Sequence, residues 1–383
     1  MRILSPFYNK TLRINILIAL SLLIMVLVVF LIANAYLRNS QSVLNISDNL
    51  IWQVTETVME QTINYMQPAS SVVSLTGTLI EQQALDVSNT PTMQAYANQV
   101  FGLYPQLSHF YYGDKQGNFW MKARHKNEGM RERKVTRQGE QSVVDQWRYY
   151  DSEGQLDREE SGDGQYDPRK RPWYYDARQR PWYQGKLVGD EAYWTDVYVF
   201  ATPVDKPTPG ITAARKVKDK NGLHIGTLGA DIPLSGLSSF LKSIPIGSVG
   251  LTMIVNEKDE MIAFPEGVRW LNQSDTNERK LVSVAQLEDL YVQKAFADYE
   301  QYGFNKFIFE AENRRFIASF TKFPETFSKE WRVVVIVPEN NIIGPLKEIN
   351  ESGFVLMVLM LVLCAVVIFM IAIAAMKESE QPS

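Results

Sequence analysis

Two abutting nonapeptides, Tyr166 to Tyr174 (YDPRKRPWY) and Tyr175 to Tyr183 (YDARQRPWY), each carry the pattern Tyr-x4-Arg-x-Trp-Tyr. Each copy sets a guanidinium among aromatic rings. A guanidinium presents its N–H donors in a planar fork that fits a carboxylate, and aromatic walls keep out the water that would screen the pair. Further along, Asp231 stands between Ala230 and Ile232 in an otherwise apolar run, where a carboxylate is costly to bury unless something cationic meets it. An arginine fork for a carboxylate, an aspartate for an ammonium and aromatic walls between them would hold a small zwitterion. An internal Arg–Asp pair, with the rings as ordinary core, would explain the same residues without a ligand. On the residues alone both readings stay open.

Other chemistry finds no constellation. The acidic run Asp151, Glu153, Asp157, Glu159, Glu160 and Asp163 is crowded enough to suggest calcium, but its spacing fails the D-x-D-x-D-G template and reads as a solvated loop. His109 and His224 sit on strand-like stretches and read as structural. No G-x-S-x-G, H-E-x-x-H or Gly-rich phosphate loop is present, so an enzyme is not expected. With three histidines and the single Cys364, an intrachain disulfide is excluded and neither a zinc site nor any other cofactor is expected. Thirty-nine basic against 43 acidic residues, a net charge of -4, gives no reason to expect nucleic-acid binding.

The elements that would position these residues lie between two uncharged runs, Ile16 to Ala33 and Phe354 to Ala375, each about the length that crosses a hydrocarbon core of ~30 Å. We expect transmembrane helices over 16–36 and 353–376. Arg2, Lys10 and Arg13 precede the first run and Lys377 follows the second, so residues 1–15 and 377–383 are expected in the cytoplasm and 37–350 outside it, in a two-pass inner-membrane topology. Residues 37–85 read as one long helix. Leu37, Leu44, Ile51, Val54, Val58, Ile63 and Met66 form its apolar stripe, Pro68 is expected to kink it, and a homodimer along the stripe is the weaker reading because the heptad is irregular. From His109 the period becomes two: His109 to Met121 is a hairpin turning at Gly113 to Asn118, and Gly250 to Phe264 is a similar hairpin turning at Asn256 to Glu260. Strands are expected at Tyr193–Ala201, Ile211–Val217, Gly222–Ile232, Asn305–Glu310, Arg315–Phe323 and Trp331–Val337, with a helical stretch at Ser283–Tyr302.

The uncharged runs, the long helix, the hairpin, YDxRxRPWY, YWTDVYVF (193–200), PGITAA (209–214) and GTLGADIPL (226–234) together resemble the double Cache (dCache) extracytoplasmic sensors of bacterial receptors, over residues 40–340. The resemblance implies an α+β fold of two PAS-like antiparallel-sheet lobes on the long helix, a membrane-distal one over about 90–235 and a proximal one over about 236–340. It also implies a sensor for an amino acid or related amine or carboxylate, bound in the distal lobe. In the amino-acid-binding subset, the motif's Arg and Trp hold the carboxylate, while Tyr and a later Asp hold the amino group. Trp182 lies 16 residues before Tyr198, resembling the family's separation, whereas Trp173 lies 25 before it. Tyr175, Arg180, Trp182, Tyr183, Tyr198 and Asp231 are therefore the expected ligand set; Tyr166, Arg171, Trp173 and Tyr174 are the alternative register, with Asp196 a further candidate. The duplication departs from the family's single motif. Such sensors usually continue into a cytoplasmic output module, and none is visible here, so either the sequence is a fragment of a longer receptor or a separate output protein is an expected partner. A structural or protein-binding periplasmic module is the alternative function.

Overall fold

A computed structural model describes residues 49–125, 129–138, 142–174, 192–200, 208–243, 250–265, 271–273, 279–325 and 327–340, with isolated positions within 19–30 and 359–373. Among the described residues no helix is long and apolar enough to cross a membrane. The two uncharged runs lie almost wholly outside them.

Helix α1 covers residues 49–81 and continues unbroken across Pro68, where the sequence predicts a kink. The proline removes one backbone donor, which does not end a helix whose apolar stripe is anchored on both sides of it. Ile51, Val54, Val58 and Met66 of that stripe are buried within the chain itself, together with Val72 and Val73 beyond the proline. Helix α2 (Thr90–Leu103), which the sequence reading missed, starts from an Asn89 cap with Pro91 in its first turn.

Two larger antiparallel sheets and a two-stranded one make the fold α+β. The first holds nine strands: β1 (His109–Asp114), β2 (Phe119–Arg124), β3 (Met130–Gln138), β4 (Ser142–Tyr150), β5 (Leu156–Ser161), β6 (Tyr193–Trp194), β7 (Tyr198–Val199), β8 (Pro209–Lys218) and β9 (His224–Pro233). Their order is β5-β4-β3-β2-β1-β9-β8-β6, with β7 also on β8. The expected hairpin β1–β2 thus lies mid-sheet, and the strand carrying Asp231 lies directly beside it. Helix α3 (Leu234–Ser243) leads to β10 (Leu251–Val255) and β11 (Met261–Ala263), the second expected hairpin, then β12 (Leu271–Gln273) and β13 (Arg279–Leu281), which pair with each other. After helix α4 (Leu290–Tyr302), closed by Gly303 at φ 70°, come β14 (Lys306–Ala311), β15 (Arg314–Lys322) and β16 (Arg332–Pro338). The second sheet runs β11-β10-β16-β15-β14. By proximity the chain divides into one unit of residues 54–312 and 318–336, which contains the whole nine-stranded sheet, and another of residues 1–53, 313–317 and 337–383.

Two expectations are corrected. Residues 151–163 are not a loop: Asp151 caps a tight turn by accepting the N–H groups of Glu153 and Gln155, and β5 then pairs with β4 as a fully exposed edge strand. Acidic side chains suit an edge that must not recruit another strand. The strand expected at Tyr193–Ala201 is broken into β6 and β7. Trp194 pairs with Ala213 and Tyr198 with Gly210, so one extra residue is accommodated on the β6–β7 side. At this bulge Thr195 Oγ1 accepts the N–H of Thr212 at 3.1 Å. An extra residue inverts the side-chain alternation that follows it, and Tyr198 packs against the same aromatic core as Tyr193.

The nine-stranded sheet is tied to α1 by a buried cation. Arg215 on β8 donates to Ser74 O, to Thr78 Oγ1 at 2.8 Å and to Glu81 Oε2 at 2.9 Å. It crosses the helix over Gly77, where any side chain would meet the guanidinium stem.

Candidate functional site

Register brings the site together. Asp231 on β9 pairs with His109 of β1 on one side and with Thr212 of β8 on the other, while Tyr111 pairs with Gly229, two residues along the same face. Because Gly229 has no side chain, the Tyr111 ring lies across it and its hydroxyl donates to Asp231 Oδ1 at 2.6 Å. Thr212 Oγ1 donates to the same oxygen at 2.6 Å and shares a 2.7 Å hydrogen bond with the Tyr198 hydroxyl. Among the described residues Oδ2 has only the His109 imidazole Nδ1, at 3.4 Å.

These partners are all neutral. Burial pushes the Asp231 carboxyl up to about 7, against the opposing pull of the Thr212 and Tyr111 hydrogen bonds and of the Arg171 charge. Burial, helped by the charge of Arg131, pushes His109 down to about 3, so the His109–Asp231 contact is not an ion pair near neutral pH. Burial and then the charge of Asp231 raise Tyr111 and Tyr198 well above the ordinary phenol value. Asp231 is thus a carboxyl only 4% exposed, with one oxygen saturated by hydroxyls and the other weakly met.

The first motif copy folds over this row. Asp167 accepts the Arg169 N–H and grips the Arg169 side chain, capping a 3-10 turn over Pro168–Lys170. Pro168 and Trp173 press on Gly113 of β1, which leaves no room for a side chain there. Trp173 is 2% exposed, its ring centroid 4.6 Å from that of Tyr111, and its carbonyl accepts the Tyr193 hydroxyl. Tyr166 packs on Phe119 at 4.6 Å, and burial pushes its hydroxyl up to about 12. A small cavity of about 30 Å³ remains, walled by Tyr111, Phe119, Tyr166, Trp173, Tyr198 and Phe200, with Asp231 and Arg171 both on its lining. The half-buried Arg171 guanidinium has no hydrogen bond or ion pair among the described residues. Its charge is nonetheless near enough to act on both Asp231 and Tyr166.

Tyr198, Asp231 and three members of the first copy, Tyr166, Arg171 and Trp173, therefore come together. Tyr174 is fully buried behind them, edge-on to Trp173 at 5.6 Å. Tyr175, Arg180, Trp182 and Tyr183 lie outside the described residues. Asp196 faces away from the cavity and pairs with Lys329 at 2.9 Å. Sequence reasoning missed Tyr111, Thr212 and Gly229 and took His109 as merely structural; their only signal is register across the sheet. Gly229→Ala is expected to displace Tyr111 from Asp231 and to lower stability by about 1–3 kcal/mol in thermal unfolding, the usual range for overpacking.

A family model of the dCache type, described as a Cache domain, matches residues 130–346. The chain belongs to the Cache domain family. Within this Cache chain, 101 residues are 30% identical to the methyl-accepting chemotaxis protein McpG of Pseudomonas putida, covering 26% of the chain and 14% of that relative, so it spans only a small part of McpG's length. Among solved structures, the ligand-binding domain of the Campylobacter jejuni chemoreceptor Tlp3 in complex with L-norvaline superposes with a TM-score of 0.48 at 16% identity, over 79% of this chain and 93% of that one. The ligand-binding domain of the Pseudomonas aeruginosa chemoreceptor PctC in complex with GABA gives 0.46 at 17% identity, over 76% and 99%.

Proposed function

We propose that this Cache chain is a membrane-anchored sensor that binds an α-amino acid, or a closely related amine or carboxylate, across the small cavity of the nine-stranded sheet and the wider cleft that shares Tyr166, Arg171 and Phe200 with it. The observation that carries this reading is a pair of unmet charges facing one aromatic-walled cavity. Arg171 is a cation with no partner among the described residues, and Asp231 is a buried acid whose partners are all neutral. A structural Arg–Asp pair would have closed on itself; instead no ion pair joins the two among the described residues. In the bound state the ligand carboxylate takes the Arg171 fork beside Trp173, and the ammonium meets Asp231 with Tyr198 and Tyr111 near it. Desolvation by the rings strengthens both contacts.

Anchoring by two spans is part of the proposal. It is supported by the uncharged runs and by the positions described within them, such as Leu23, Phe30, Val362 and Phe369, which are helical with apolar side chains uncovered. Residues 37–350 then face outward and the termini inward. A ligand shifts a two-state equilibrium only by its differential affinity for the two states. Closure of the cavity over a zwitterion supplies such a difference, transmitted through residues 341–352 to the second span and read by an output module on this or another chain. No catalytic role is assigned.

Titration of the full chain in detergent with each of the twenty L-amino acids, followed by calorimetry, tests the reading. At least one is expected to bind saturably with one site per chain, and binding by none would sink it.

A further inference from the structure

A second, wider cleft adjoins the cavity, and the two share Tyr166, Arg171 and Phe200 in their walls. Deep in it lies Arg133 of β3, a side chain only 6% exposed. Its guanidinium is held between the rings of Trp147 and Tyr166, at 4.7 and 4.6 Å from their centroids. Asp145 engages Nε at 3.0 Å and Nη2 at 2.7 Å. The third nitrogen, Nη1, has no hydrogen bond among the described residues, although Arg133 lines the cleft. A ligand that fills the cleft displaces water from its walls, so such a donor favours a ligand that brings an acceptor of its own.

We propose that Arg133 Nη1 anchors the far end of the ligand's side chain, and that the ligand is an α-amino acid whose side chain ends in an uncharged carbonyl acceptor, a carboxamide. This rests on the amino-acid reading of the inner cavity. A ligand held at its α end by Arg171 and Asp231 sends its side chain past Tyr166, the ring on which Arg133 is stacked. Asp145 already balances the Arg133 charge, and Asp163 Oδ1 stands 3.8 Å from the same guanidinium. An anionic side chain would therefore meet two carboxylates for one cation. A cationic or an apolar side chain offers Nη1 no acceptor. Lys170 also lines the cleft but sits on its exposed rim, where solvent and salt screen it.

Calorimetric titration of the full chain in detergent with L-glutamine, L-methionine and L-glutamate decides the matter, because methionine matches glutamine in length without the acceptor. Glutamine is expected to bind at least about tenfold more tightly than either of the others, the worth of one charge-assisted hydrogen bond. Arg133→Lys keeps a cation opposite Asp145 but removes Nη1, and should bring the glutamine-to-methionine ratio to within about threefold. Methionine or glutamate binding as tightly as glutamine to the wild type, or an unchanged ratio in Arg133→Lys, would overturn the assignment. The wild-type comparison decides alone should the variant lose cooperative unfolding. If methionine binds equally and Arg171→Ala abolishes its binding, the inner-cavity reading stands while this one fails. If no amino acid binds, both fail.

Discussion

Arg171→Ala is expected to abolish measurable binding of the best amino-acid ligand to the full chain while leaving its thermal unfolding nearly unchanged. The two halves of this result have one origin. Arg171 has no hydrogen bond or ion pair among the described residues, so its removal orphans no partner among them. Truncating one side of a desolvated charge pair costs about 2–5 kcal/mol of affinity, roughly thirtyfold or more. Arg180→Ala, in the second copy, is expected to leave affinity within about threefold, since the described residues around Tyr198 and Asp231 are those of the first copy. Calorimetry on the two variants side by side checks this. Loss with Arg180→Ala and retention with Arg171→Ala would move the clamp to the second copy.

The second large effect is on pH. In the empty cavity burial raises the Asp231 carboxyl to about 7, so below that pH it is largely protonated. An ammonium binds the carboxylate, and binding must then release a proton. Affinity should rise with pH up to about 7, by at most about tenfold per unit, and level off above it. His109, held near 3, does not titrate in this window, and Tyr111 and Tyr198 lie far above it. Stability of the unliganded chain runs the other way. A carboxyl whose folded value exceeds its unfolded one binds more protons when folded, so its contribution is full below about 4, falls as pH rises towards about 7, and is constant beyond. Titrations at pH 5, 6, 7 and 8 in buffers of different ionisation enthalpy measure both the affinity and the protons released. Asp231→Asn should show no proton release at any of these pH values.

Much of this architecture could be read from local pattern. The two hairpins announce themselves by period-two alternation around polar turns, and Asp231 by being an acid in an apolar strand. Strand β3 could not be read that way, because its buried positions Arg131, Glu132 and Arg133 are charged. Arg133 is paired with Asp145 of β4, and Glu132 with Lys122 of β2 at 2.8 Å, so the apolar alternation that marks a buried face is absent from β3, whereas β4 does alternate, with Trp147 and Tyr149 buried beyond Asp145. The cluster about Asp231 was half legible for a different reason. Tyr111 and Thr212 reach it only through the register of β1, β9 and β8, a pairing between residues up to 120 positions apart that leaves no local trace. Counting along the chain likewise cannot tell which of two like nonapeptides folds over the sheet. The count from Trp182 to Tyr198 favours the second copy, while Trp173 of the first rests on Tyr111 and lines one cavity with Tyr198.

The claim at the centre of this account is that one cavity meets both charges of a zwitterion at once. Titration of the full chain with its best L-amino acid, the N-acetyl derivative and the methyl ester tests it most directly. Capping the amine removes the partner of Asp231, and capping the carboxylate removes that of Arg171. Each cap alone is predicted to weaken binding by roughly thirtyfold or more. Capped and free forms binding with equal affinity would contradict the account.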